Sequence, residues 1–113
     1  QAGRFETVTV PEWGGDVRLK ALCVRDKAVI DTEMMRVGKL MRTQDLDAVS
    51  ANHNLQLTLV ALSVVDDSGE AMFTLDDVPE LSKLEPQAIR DLSDAVCILN
   101  GFATKAVEDA AKN

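Results

Sequence analysis

The chain has 113 residues, 46% of them hydrophobic, enough for one apolar core and too few for two. Its net charge of −7 argues against a nucleic-acid partner, and no apolar run approaches the roughly 18 residues of a membrane span. The charge is uneven: residues 1–45 are close to balanced, whereas 66–94 set nine carboxylates against Lys83 and Arg90. Aromatics are 4% of the chain, so the core must be aliphatic, which favours helices over a sandwich.

The opening QAGRFETV holds no apolar signal region and reads as a trimmed end without an address label. ETVTV (6–10) and DVRLKAL (16–22) alternate in the manner of half-buried strands, joined through PEWGG, where Gly14–Gly15 tolerates a reversal. Val8, Val10, Val17, Leu19 and Ala21 are the candidates for the inner face of this hairpin. From about Asp26 the period becomes helical, with Ile30, Met34, Val37 and Met41 on one face and Arg36, Lys39 and Arg42 on a different side. Thr43 or Asp45 can cap the next helix, which runs through LQLTLVALSVV and is apolar almost all round, the mark of a central buried element.

An acidic turn follows, from which Ala71–Phe73 can leave as a short third strand. Thr74 with Asp77 has capping-box spacing, and Phe73 with Val78 that of a hydrophobic staple. Pro86 suits a first helical position; Ile89, Leu92, Val96 and Leu99 then make an apolar face closed by Asn100–Gly101. Thr104 can cap a last short helix to about Ala111. The expectation is one domain over 1–113, α+β and mostly α: an N-terminal β-hairpin packed on four to five helices.

Chemistry is harder to find. VVDDSGEAMFTLDDV (64–78) gathers four aspartates and a glutamate about Gly69. With Gly69 at position six of a calcium loop, Val64 and Leu75 occupy positions that require oxygen ligands, so a hydrated turn is expected instead. His53 stands alone between two asparagines, with neither a second ligand nor a nucleophile beside it. Cys23 and Cys97 lack CxxC spacing and fit small hydrophobic packing in a reducing compartment. No catalytic, cofactor or metal residue is therefore assigned. The candidates for contact with a partner are Trp13, on the hairpin tip, and Met34, Met35 and Met41. Trp13 can fold back as a lid or stand out as an anchor; the methionines can fill the core or form an adaptable patch.

V-P-E-W-G-G (10–15), L-V-A-L-x-V-V-D-x-x-G-x-x-x-F (59–73) and L-N-G-F (99–102), in this order over nearly the whole chain, resemble the tail assembly chaperones of long-tailed (siphovirus-type) bacteriophages. One departure is CVRDKAVID, which lacks a clear Ser, Thr or Gly opening and leaves the first helix boundary open. The resemblance implies a non-enzymatic protein of the host cell cytoplasm, absent from the mature virion. It implies binding to the tape measure protein, a long and largely helical rod kept soluble until tail tube subunits polymerise around it. Self-association is expected, as is contact with the tail tube protein through a longer frameshifted form, since Ala111-Lys112-Asn113 can be encoded by a slippery run of adenines. The rival readings are a structural or adaptor subunit of a phage particle and an aspartate-based metal-dependent domain.

Overall fold

The computed structural model describes residues 4–102. Strand β1 (Phe5–Val10) and β2 (Gly15–Lys20) pair antiparallel with Val8 opposite Val17 and Glu6 opposite Leu19. Pro11–Trp13 form one 3-10 turn, closed by Gly14 in the left-handed region (φ 72°), where its N–H donates to the Pro11 carbonyl at 3.0 Å. The period of two puts Val10 and Leu19 fully inside, with Val8 and Val17 packed beside them. On the opposite face the Arg18 guanidinium lies 4.2 Å from the centre of the Phe5 ring.

Helix α1 (Val24–Arg42) starts at Cys23 without a side-chain cap, two residues earlier than the helical period suggests. It ends in a Schellman motif: Gln44, in the left-handed region at φ 56°, donates to Met41, and Asp45 donates to Leu40. Asp45 then turns to the next helix, its carboxylate accepting the Asp47 N–H at 2.9 Å. Helix α2 (Asp47–Ser63) packs on α1, and from Leu55 onward nearly every side chain is buried. Its first half is exposed on one side, at Val49, Asn52, His53 and Asn54, so the expected all-round burial holds only for the second half.

The chain passes without a loop from α2 into strand β3 (Val64–Val65), which pairs antiparallel with β2. The third strand therefore precedes the acidic turn, not follows it as expected at Ala71–Phe73. Only Ala71 makes a bridge, to Val65, and the Met72 N–H reaches the Val64 carbonyl. Val64 and Val65 read as helix in the sequence because they extend an apolar run; β-branching and the waiting edge of β2 decide for strand. The Thr74 N–H donates to the Asp77 carboxylate at 2.8 Å, the expected capping box, here opening a 3-10 turn (Leu75–Asp77) that runs into the single-turn helix α3 (Val78–Leu81).

Helix α4 (Pro86–Asn100) buries Ala88, Ile89, Leu92 and Val96 against α2 and β1. Gly101 (φ 74°) and Phe102 close it with a second Schellman motif. Asn100 locks this end in place: its Oδ1 accepts the Leu22 N–H at 2.8 Å and its Nδ2 donates to the Val96 carbonyl at 2.7 Å. One apolar cluster joins the hairpin, α1, α2, α3 and α4. The result is an α+β fold, mostly helical, with an N-terminal hairpin and a three-stranded antiparallel sheet. The expected helix from Thr104 lies outside the described residues.

Candidate functional site

The acidic turn is built by its own carboxylates. Asp66 Oδ1 accepts from the Ser68 N–H (2.9 Å), the Ser68 hydroxyl (2.7 Å) and the Glu70 N–H (3.0 Å), while Gly69 takes the positive φ of 89°. The Ser68 hydroxyl, then the Glu70 N–H, hold the Asp66 carboxyl below the usual aspartate range. Arg18 ties the turn to the sheet by donating to the Asp67 carbonyl at 2.7 Å. Phe5 packs under Gly69, where an added Cβ would meet its ring at 3.5 Å. Asp66 Oδ1 is thus committed to two backbone N–H groups and the Ser68 hydroxyl. Among the described residues no three His, Cys, Asp or Glu side chains gather as metal ligands.

Trp13 is half-buried and packs against the core, which answers to the lid more than to the free anchor. It also walls a groove of about 460 Å³, lined by the apolar Val17, Val65, Met72 and Phe73 and by Asp16, Arg18, Asp66 and Asp67. Met72 was not among the candidate residues; no periodicity marks it, because it lies in irregular chain between the turn and the capped 3-10 segment.

The methionines of α1 face outward. Of the expected core stripe only Ile30 and Val37 are buried, whereas Met34 is 37%, Met41 64% and Met35 75% exposed. Met34 and Met35 share an open groove of about 610 Å³ with Arg36, Gly38, Lys39 and Arg42. The cations expected on a different side thus border the methionines; the period separates Met34 from Arg36 by angle, but long side chains close that gap. Met41 does not line this groove, nor does Trp13, and the two grooves share no residue. Leu46 and Val49 are also exposed and were not singled out from the sequence.

Of the thiols, Cys23 is exposed at the start of α1, contrary to the expected packing. Cys97 is half-buried against the core; burial, then the charge of Asp94, pushes its thiol up. His53 is exposed and lines a smaller cleft with Leu57, Leu84 and Arg90. No described helix is long and apolar enough to cross a membrane.

The fold is a hairpin laid on α4, an α1–α2 pair, and a helix running directly into the third strand. Among solved structures the chain is similar to that of the bacteriophage HK97 tail assembly chaperone, with a TM-score of 0.60 and 21% identity over 87% of each chain. No protein-family model matches the sequence. No curated protein matches it either.

Proposed function

We propose that this chain is a tail assembly chaperone that binds a tape measure protein and keeps it soluble while tail tube subunits are recruited. The observation that carries the reading is the fold shared with the HK97 tail assembly chaperone over 87% of both chains. Exposed methionines on α1 support it, since flexible thioether side chains accept several apolar helix faces in turn. The work is binding, not catalysis. It takes place in the host cell cytoplasm, with several copies associating along the rod, and the chain leaves before the particle is finished. Tail tube subunits are reached through a longer form of the protein.

Co-expression tests the proposal. The tape measure protein encoded nearby should be soluble and co-purify with the chain, and should precipitate without it. Mass analysis of finished particles should find none of the chain. Stoichiometric amounts in the particle would instead make it a structural subunit.

A further inference from the structure

The outer face of α1 holds a residue that the fold itself does not require. Gly38 is the only glycine inside a helix among the described residues, and glycine is the worst helix former after proline. Its φ is not in the left-handed region. A Cβ there would meet only the Arg42 guanidinium, at 3.4 Å, a flexible group able to move aside. Neither backbone conformation nor internal packing therefore asks for glycine. What it does is leave a notch. Met34, Gly38 and Arg42 stand one turn apart on one ridge, with Met35 and Lys39 on the next, and such ridges are shaped to receive the side chains of a second helix.

The charge of the groove narrows the occupant. After Glu33 every charged residue of α1 is a cation, and all of them, Arg36, Lys39 and Arg42, line this groove. Arg36 is held by Glu33 at 3.4 Å; Lys39 and Arg42 make no ion pair with another described residue. On a chain of net charge −7 this groove sets three cations beside two methionines and a glycine. Its complement is a helix with an apolar stripe flanked by carboxylates.

We infer that the outer face of α1, from Met34 to Arg42, seats an amphipathic helix of the partner protein. The apolar stripe of that helix enters the Gly38 notch between the methionines, and its flanking carboxylates pair with Lys39 and Arg42. The inference rests on the chaperone reading for who the partner is and adds which segments of it are gripped.

The probe is a synthetic, helix-stabilised peptide with leucines at i, i+4 and i+7 flanked by glutamates, and a twin with lysines in their place. Anisotropy with the full chain should show the glutamate peptide binding, more weakly at high salt, and the twin not binding. Lys39→Glu with Arg42→Glu should lower affinity about tenfold or more. Gly38→Ala should raise the melting temperature by helix propensity while weakening the peptide. Equal binding of the twin, unchanged affinity in either variant, or a lower melting temperature for Gly38→Ala would each overturn the assignment. An oligomer of the chain alone that the charge reversals dissolve would give this face to a second copy, and overturns it too. Co-expression separates this from the wider reading. A charge-reversed chain that still keeps the tape measure protein soluble removes this surface alone, whereas failure of the unaltered chain removes the chaperone reading.

Discussion

Leu59 sits in the half of α2 that is enclosed on every side, and it is only 3% exposed. Burying a leucine is worth about 1.5–3 kcal/mol, and truncation adds a cavity term because the surroundings relax only in part. Leu59→Ala should therefore cost about 3 kcal/mol, inside the usual range of roughly 2–5. Set against a total of about 5–15 kcal/mol for a small domain, that is a large share. It corresponds to a fall of roughly 12–24 °C in melting temperature. Leu62, three residues on, is only half-buried, so its truncation should cost roughly 1–2 kcal/mol. Met35, 75% exposed, should stay within about 0.5 kcal/mol of the parent when changed to alanine. Urea unfolding of the three variants, with unchanged slope, measures the series. A loss below about 1 kcal/mol for Leu59→Ala, or equal losses at 59 and 62, would refute the placing of this helix at the centre.

Asp66 offers a test by pH. Its carboxyl is held down by bonds to the charged form, so its contribution to the turn is present above about pH 4 and is lost as pH falls through the depressed folded value. Carbon-13 titration should find its midpoint below that of unfolded aspartate and rising in Ser68→Ala; an unmoved midpoint contradicts the bonding described. Because no three His, Cys, Asp or Glu side chains gather as ligands among the described residues and Asp66 Oδ1 is already bonded within the turn, calorimetry with Ca²⁺ or Mg²⁺ should be flat at micromolar levels, and saturable heat lost in Asp66→Asn would reverse this. Gln44→Gly should stabilise the chain by roughly 0.5–1 kcal/mol, as glycine takes the left-handed end of α1 without strain. Cys23 should react quickly with a thiol reagent in the native state, and Cys97 slowly until pH is raised, since burial disfavours its thiolate; equal rates would contradict their placement.

The elements most legible in the sequence are those fixed by local chemistry. Alternation in ETVTV and DVRLKAL, the Thr74–Asp77 box, Pro86 and Asn100–Gly101 all act within a few residues, and each is found where its spacing puts it. What failed was decided at a distance. Val64–Val65 became a strand because the edge of β2 lay beside them, and no periodicity inside an unbroken apolar run announces that. The Schellman end at Gln44 was equally silent, since glutamine is not the residue that a left-handed position favours.

The same division explains the candidate surface. Spacing put Met34 and Met41 on a face with Ile30 and Val37, and that face exists. Whether a face is covered depends on what lies across from it, and here Ile30 and Val37 join the core cluster while the methionines are left to solvent. Helical angle alone likewise parted Arg36, Lys39 and Arg42 from Met34 and Met35, although long stems bring them to one groove. Gly38 was visible as a glycine in a helical stretch, yet its use as a notch needs the knowledge that only the movable Arg42 guanidinium reaches the space. A core residue is answerable to its own chain and leaves a period behind it. A contact residue is answerable to a molecule that is absent from the sequence, and shows itself only as helix chemistry the fold has no use for.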